Sequence, residues 1–198
     1  MNGFERRRQS KMRQILDAAE VLFMKCGVAA TAVADIARQA GVSQVSIYNY
    51  FGSKEGLLLA VIRRMVQHYV AIADDIIEAD LPFIAKLTRI CEMKKREVLS
   101  YNPDFLSVFF QQGEVHQYMM EVYEQESLPR LRRLIVMGKA EGAINPALSD
   151  EAVMIYTRSA FDIFEKMQSQ VTPAVWGDLI SLFVFGFDGC QAAPPPPT

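Results

Sequence analysis

The chain has 198 residues, 51% of them hydrophobic, with 11 Gly and 9 Pro, so it can bury a core and does not fit the fibrous or disordered classes. The net charge of −2 conceals an asymmetry, since residues 1–64 carry ten Lys or Arg and five Asp or Glu, whereas residues 65–198 carry eleven and eighteen. Three scattered cysteines without CxxC spacing and the lack of a signal-peptide-like or bilayer-spanning apolar run predict a reduced, cytoplasmic protein.

The first half of the chain shows helical periodicity with clear punctuation. Gly27 and Gly41 are predicted to end helices, because glycine adopts the left-handed conformation that often follows a last turn. Thr31, Ser43 and Ser53 are predicted to cap the helices that follow them. The predicted helices cover residues 10–26, 32–40, 44–50 and 54–78.

The second half reads in the same way. Asn102 before Pro103 is typical of a helix start, Pro129 is expected to bend a long helix, and Ser149 is a further cap. The Pro-rich end, residues 192–198, is expected to be disordered or extended. The remaining predicted helices run from Pro82 to about Ser100, over 116–140, from Ser149 to about 169, and from 173 to about 188. No run of residues indicates a strand, so the predicted class is all-α.

Two short helices joined by a glycine turn match a helix-turn-helix, whose second helix enters the major groove of DNA. The residue types fit that task, because Gln44 can pair with adenine, Ser46 with several bases, and Val45 with the methyl group of thymine. The basic N-terminal region would then meet a polyanion. The alternative is an ordinary helical hairpin with Tyr48 and Tyr50 as packing residues and a solvated basic face.

The stretch TAVADIARQAGVSQVSIYNYFGSKEGLLLAVI, residues 31–62, resembles the signature of the TetR family of bacterial transcriptional regulators. The family pattern is approximately T-T-V-x-D-I-A-x-x-A-G-V-S-x-G-x-L-Y-x-Y-F-x-S-K-E-x-L. The resemblance covers about the first 64 residues. The matching positions are Thr31, Val33, Asp35, Ile36, Ala37, Ala40, Gly41, Val42, Ser43, Tyr48, Tyr50, Phe51, Ser53, Lys54, Glu55 and Leu57.

The resemblance implies a ligand-responsive regulator, expected to be a repressor, that binds a near-palindromic operator as a homodimer. It implies a helix-turn-helix DNA-binding domain over 1–54 and a helical ligand-binding and dimerisation domain over 55–191. Ala32 and Val45 depart from the pattern, and Val45 stands where a small residue is usual. The implied DNA-binding residues are Thr31, Ser43, Gln44, Val45, Ser46, Tyr48, Asn49, Tyr50 and Lys54, with Thr31, Tyr48, Tyr50 and Lys54 on the phosphate backbone.

A basic run, ERRRQSKMR, precedes the signature at residues 5–13. Such a run is usually a solvated surface. In a DNA-binding protein, Arg6, Arg7 and Arg8 could instead follow phosphates or enter the minor groove.

The family's C-terminal half dimerises and encloses a small-molecule pocket, which here implies a small hydrophobic or aromatic effector. The candidate pocket residues are Tyr69, Phe105, Phe109, Tyr123, Met137, Phe161 and Phe164, each of which has ordinary core packing as its alternative. The last predicted helix is apolar on more than one face, as a dimer interface or a central helix would be. Its candidate interface residues are Leu179, Leu182, Phe183, Gly186 and Phe187.

Nothing in the sequence favours an enzyme, a membrane partner or a cofactor. The two histidines, His68 and His116, have no metal-ligand spacing, and no GxSxG, phosphate-loop or dinucleotide glycine motif is present. The alternative to a regulator is an interaction module with the same fold that has lost operator binding, for which Ala32 and Val45 leave room.

Overall fold

The computed structural model describes residues 3–109, 111, 113–156, 159, 175, 178, 179 and 182, apart from the side chains of residues 95 and 97–99. Every regular element in this part of the chain is helical, which confirms the all-α prediction. Residues 150–156 are helical and begin α9. The preceding elements are α1 (Gly3–Cys26), α2 (Val33–Ala40), α3 (Gln44–Phe51), α4 (Lys54–Glu78), α5 (Phe83–Ser100), α6 (Pro103–Ser107), α7 (Glu114–Val122), a π-helical turn (Tyr123–Ser127) and α8 (Leu128–Ala140).

Helix α1 begins earlier than the predicted residue 10. Residues 3–14 contribute no buried side chain, and the first buried residue of the helix is Ile15. The early turns therefore lack an apolar stripe from which a helix could be predicted. They are rich in Glu, Arg, Gln and Lys, which favour the helix once it has been nucleated on the core.

Four of the predicted helix caps are present in the structure. The side-chain oxygens of Ser43, Ser53, Asn102 and Ser149 each accept a backbone N–H two or three residues further on, at 2.9–3.1 Å. These bonds satisfy donors that a helix N-terminus leaves unpaired. The boundaries of α3, α4, α6 and α9 are therefore set by local chemistry.

The prediction that Thr31 caps α2 was wrong. The N-cap residue is Ala32, with extended backbone and no side-chain bond. Thr31 is buried, and its hydroxyl donates to the carbonyl oxygen of Gly27 at 2.6 Å. The carbonyl oxygen of Leu22 is a second acceptor for the same hydroxyl, at 3.3 Å. The threonine thus satisfies carbonyl groups at the end of α1 instead of amides at the start of α2.

The long helix predicted over 116–140, with a bend expected near Pro129, is helical from Glu114 to Ala140 and contains a π-helical turn at Tyr123–Ser127. Pro129 lies in the first turn of α8, directly after the π-helical turn, and it has no N–H to continue the hydrogen-bond ladder. Arg130, the residue after Pro129, connects this part of the chain to α4. Its Nε and Nη2 donate to the carboxylate of Asp74 at 2.7 and 2.6 Å. Its Nη1 donates to the carbonyl and the carboxylate of Glu126, both at 2.7 Å.

The chain divides into two compact units, one formed by residues up to 72 with 100–122, the other by 73–99 with the residues from 123 onwards. In the first unit, α1, α2, α3, α4 and α6 share one core. Three members of this core, Leu57, Val61 and Ile62, lie beyond residue 54, where the predicted DNA-binding domain ends. A compact unit is not the same as a functional domain, so the predicted boundary stays a prediction. The fully shielded side chains of this core include Ile15, Phe23, Ile36, Ile47, Leu57, Val61, Ile62 and Phe105.

The second unit has a smaller core. Ile77, Phe83 and Leu134 are its buried members, drawn from α4, α5 and α8. The buried Lys86 donates from Nζ to the carbonyl oxygen of Ile77 at 2.7 Å, which satisfies a carbonyl in the last turn of α4. Ion pairs from Arg130 and Arg133 to the same helix flank this core.

Among the described helices, α4 is long and apolar enough to cross a membrane by length and composition. Its Leu57, Val61 and Ile62 are fully buried in the core of the first unit, and Arg63 and Arg64 interrupt the apolar sequence. Core packing therefore accounts for part of the apolar composition of this helix.

Candidate nucleic-acid interface

The turn between α2 and α3 sets the direction of α3. Gly41 has φ +66° and ψ +34°, the left-handed conformation that costs other residues more. The N–H of Val42 donates to the carbonyl of Ala37 at 3.0 Å and that of Gly41 to Arg38 at 3.4 Å, which closes α2 with a Schellman-type pair. The chain then enters α3 after two residues.

Ser43 starts α3 and holds its first turn together. Its Oγ accepts the backbone N–H of Ser46 at 3.1 Å and lies 2.9 Å from the Oγ of Ser46. Both hydroxyls, which the sequence assigned to DNA, are therefore engaged with each other in the structure. A base or phosphate would have to share them or replace this contact.

One side of α3 anchors the helix. Ile47 is fully buried, and Val42, Tyr50 and Phe51 pack against the core from its edge. Tyr50 is half-buried, with its ring 6.4 Å from that of Phe51 in an edge-on arrangement. Tyr50 is thus partly a packing residue, as the alternative reading of the motif anticipated.

The opposite side of α3 carries the predicted recognition residues. Gln44, Val45, Tyr48 and Asn49 are exposed, and their spacing of one, four and five residues gathers them on one helical face. Val45 is 66% exposed and Tyr48 47%. An apolar side chain held in solvent beside two amides offers both methyl contact and hydrogen bonding to a groove.

The connection from α3 to α4 brings Lys54 to a helix N-terminus. The Oγ of Ser53 accepts the N–H of Gly56 at 3.0 Å, and Gly52 has φ +77°. The pKa of Glu55 is lowered by its own backbone N–H and by the Ser53 hydroxyl. The Glu55 carboxylate beside Lys54 is therefore ionised at neutral pH. An anion bound at this helix start would meet the positive charge of Lys54 and the negative charge of Glu55.

Sequence reasoning missed the role of Gly56. A Cβ on this residue would lie 2.2 Å from the carbonyl oxygen of Phe51, the last residue of α3. Only glycine allows α4 to start this close to the end of α3. The family pattern has an unspecified position here, so the close approach had no signal beyond the glycine itself.

The structure does not bring Thr31 to this surface. Its side chain is 3% exposed, and its hydroxyl is bonded to a backbone carbonyl. The predicted phosphate contact from this side chain is therefore corrected to a structural role within α1 and its following turn. Arg38, which is 78% exposed on α2 and paired with Asp35, is a cation near this turn that sequence reasoning did not select.

The N-terminal basic run does not form an extended arm. Arg6, Arg7 and Arg8 belong to α1 and are exposed, and Arg8 lies 3.8 Å from Glu5. Because this run is helical, it does not fit the insertion of an extended chain into the minor groove. A solvated surface and contacts with phosphates both remain compatible with it.

The candidate pocket residues fall into both compact units. In the first, the hydroxyls of Tyr69 and Tyr101 are 2.8 Å apart, and Phe105 contacts Tyr101 and Phe109 edge-on at 5.4 and 5.5 Å between ring centroids. Phe105 is fully buried in the core of this unit. In the second, Tyr123 belongs to the π-helical turn and Met137 packs beside the buried core; Phe161 and Phe164 lie outside the described residues.

A cavity of about 280 Å³ is found in a different place, between α1 and α2. Its wall includes Leu22, Cys26, Thr31 and Arg38, none of which was a pocket candidate. Of the candidate dimer residues, Leu179 is half-buried and Leu182 is 43% exposed. Phe183, Gly186 and Phe187 lie outside the described residues.

No cluster of three or more His, Cys, Asp or Glu side chains within the described part of the chain is arranged to hold a metal ion. Among the described residues, the exposed face of α3 is the most clearly built surface for binding.

Comparison with known proteins agrees with this geometry. Residues 15–61 match the family described as bacterial regulatory proteins, tetR family. The chain is 25% identical over 186 residues to the uncharacterized HTH-type transcriptional regulator YhgD of Bacillus subtilis, which covers 88% of this chain and 94% of that protein.

Two solved structures share the fold. The transcriptional regulator FadR of Bacillus subtilis in complex with stearoyl-CoA has a TM-score of 0.60 at 20% identity, over 88% of this chain and 98% of that one. RolR in complex with resorcinol has a TM-score of 0.61 at 21% identity, over 90% and 86%. The matched helix-turn-helix and the relative similar along its whole length lead to one conclusion: residues 15–61 carry the helix-turn-helix region of the TetR family of bacterial transcriptional regulators, and the chain as a whole is similar to HTH-type transcriptional regulators.

Proposed function

We propose that this regulator is a cytoplasmic, homodimeric repressor that binds a near-palindromic DNA operator and leaves it when a small hydrophobic molecule binds. The observation that carries the proposal is the division of α3 into a buried side anchored by Ile47 and an exposed side bearing Gln44, Val45, Tyr48 and Asn49. A short helix whose exposed face has donors, acceptors and one apolar side chain suits the major groove.

Some residues of this surface are proposed to contact bases and others to contact phosphates. Gln44 and Asn49 carry amides that can pair bidentately with adenine, and the exposed Val45 can contact a thymine methyl. Tyr48 and Lys54 bind phosphate oxygens and fix the register of the helix on the duplex. Ser43 and Ser46 act first as the cap of α3, since their hydroxyls already contact each other.

Two copies of the helix are needed to read the two half-sites of a near-palindrome, so the proposal includes a homodimer. The candidate surface is the apolar face of the last predicted helix. Its described members are Leu179 and Leu182, and the 43% exposure of Leu182 supports an apolar surface that a partner covers.

The effector is proposed to be a small hydrophobic or aromatic molecule bound by the helices after residue 54. Two regulators of the same fold have been solved with such ligands, FadR with stearoyl-CoA and RolR with resorcinol. The edge-on aromatic cluster around Phe105 supports an environment suited to planar or apolar ligands. The effector acts by binding the DNA-free shape of the dimer more tightly than the DNA-bound shape.

Selection of bound duplexes from a random DNA pool by the full-length chain tests the proposal. The expected result is a set of related sequences with two-fold symmetry. If no sequence is enriched at moderate salt, the repressor proposal fails and the alternative, an interaction module without operator binding, takes its place.

Val45→Gly tests the role of α3 in base recognition. The variant is expected to change sequence preference at one or two base pairs, by about 1 kcal/mol each, more than it changes total affinity. Ala34→Gly, at an exposed position of α2, is the matched control because it introduces the same backbone freedom outside α3. Selection profiles compared for both variants would contradict this role if Val45→Gly weakened all sequences equally.

A further inference from the structure

The N-terminal part of α1 is an exposed basic helix. Residues 3–14 carry five cations and one acidic residue, Glu5, and none of their side chains is buried. Apart from the 3.8 Å contact of Arg8 with Glu5, no carboxylate among the described residues lies within 4 Å of a cation of this segment. Because few of these positive charges are balanced by nearby carboxylates, the segment suits an anionic partner.

The contacts of α1 and α4 show where this segment points. Arg64 of α4 donates to Asp17 and Glu20 of α1 at 2.6 and 2.5 Å. Five residues further along α4, Tyr69 meets Tyr101. The residue after Tyr101, Asn102, donates from its backbone to the carbonyl of Met24, in the last turn of α1.

The two helices thus run in the same direction past each other within the first unit. Ten residues before Arg64, about 15 Å at 1.5 Å per residue, α4 begins at Lys54. The same distance back along α1 from Asp17 and Glu20 reaches residues 7–10. The basic segment therefore lies at the end of the unit where α3 ends and α4 begins.

Helical spacing places four of the five cations of the segment on two sides of the helix. The buried residues Ile15, Ala18 and Ala19 continue towards the N-terminus, at steps of three and four, as Lys11 and Arg8. The core-facing side of α1 thus changes from apolar to basic beyond the half-buried Met12.

Arg6 and Arg13 lie seven residues apart on the opposite side of the helix. They belong to the same exposed segment and carry the same charge, but they face away from the bundle.

We propose that the N-terminal segment of α1, residues 3–14, is a second DNA-contacting surface that binds phosphates through Arg8 and Lys11. The proposal rests on operator binding by α3, as proposed above. A helix with side chains is about 10–12 Å across, wider than the roughly 6 Å minor groove. The segment therefore lies along the phosphate backbone, beyond the base pairs that α3 contacts, and contributes affinity without base preference.

Two double variants of the full-length chain test this assignment. Arg8→Gln with Lys11→Gln removes the proposed contacts, and Arg6→Gln with Arg13→Gln removes the same charge from the other side of the same exposed segment. Glutamine keeps a high helix propensity, so all four exchanges leave α1 intact. Affinity for the selected operator and for an unrelated duplex is measured between 50 and 200 mM salt.

The expected result is a salt slope, log affinity against log salt, that is shallower by up to about 1.8 in the first variant, since each lost phosphate contact removes about 0.9. The slope of the second variant stays within about 0.5 of the unmodified chain by the same measure. Both DNA sequences lose affinity by the same factor in the first variant.

Equal effects of the two double variants would overturn the assignment, because they would indicate overall charge instead of contact. A changed base preference, or an unchanged slope in the first variant, would overturn it too, as would loss of binding to RNA or to anionic lipid vesicles with DNA affinity intact. Failure of the unmodified chain to bind any duplex above random sequence would reject operator binding itself, which is seen before any variant is made.

Discussion

Replacing Gly56 by alanine tests whether the close approach of α3 and α4 is essential to the DNA-binding unit. In an ordinary helix this exchange stabilises the protein by about 1 kcal/mol, because alanine is the better helix former. Here the new Cβ would lie 2.2 Å from the carbonyl oxygen of Phe51, a backbone atom that cannot rotate away. Overpacking of this kind costs about 1–3 kcal/mol or more, which outweighs the gain of about 1 kcal/mol and leaves a net loss of up to about 2 kcal/mol.

Thermal and denaturant unfolding of the full-length chain measure this loss. For a protein of this size, each 1 kcal/mol lost lowers the melting temperature by roughly 2–4 °C, so a loss of about 2 kcal/mol lowers it by roughly 4–8 °C. Two control glycines complete the series. A Cβ on Gly3 would have only an arginine side chain at 3.9 Å, so Gly3→Ala is expected to be neutral or stabilising. A Cβ on Gly138 would lie 2.8 Å from a flexible isoleucine side chain and is expected to have an intermediate effect.

DNA binding supplies the second readout, because relief of the clash must move the start of α4 and with it Lys54. Gly56→Ala is therefore expected to weaken operator binding even at a temperature where the protein stays folded. An unchanged or higher melting temperature for Gly56→Ala, together with unchanged affinity, would refute the reasoning that this glycine is required by backbone proximity.

Two further predictions concern side chains whose roles became clear from their partners. Thr31→Val keeps the shape of the buried side chain but leaves the carbonyl of Gly27 without its donor, so the free energy of unfolding should fall by about 1–2 kcal/mol. The salt dependence of DNA binding should change little. A shallower salt slope with unchanged stability would instead indicate that Thr31 contacts a phosphate. The pKa of Asp74 is held below its usual 3.8 by hydrogen bonds from Arg130, so its contribution to stability is present above that pH and is lost as the pH falls through the lowered value. In urea unfolding between pH 6 and 2, Asp74→Asn should show a flatter fall in stability than the unmodified chain, and parallel curves would contradict the assignment.

Local chemistry explains why much of the DNA-binding region could be predicted. A serine or asparagine beside a free helix end has few competing partners, so Ser43, Ser53 and Asn102 cap the helices predicted for them. The glycine turn at Gly41 depends on one backbone conformation. The buried and exposed sides of α3 follow from helical spacing alone, because the apolar residues share one face.

Long-range packing explains what the sequence pattern missed. Thr31 had the residue type of a cap, but the fold buries it against the end of α1, where a carbonyl is the nearer partner. The helix predicted over 116–140 with a bend near Pro129 is present over 114–140 with a π-helical turn just before Pro129, but its pattern does not show that Arg130 reaches α4.

The sequence by itself determined the helical class, the position of the helix-turn-helix and the side of α3 that is available to DNA, since each depends on neighbours within a few residues. Only the tertiary structure decided that Gly56 is confined by a backbone carbonyl, that Thr31 is internal, and that Arg64 of α4 meets Asp17 of α1. Those features depend on distances between segments far apart in the chain, and periodicity within one helix carries no information about which other helix it meets.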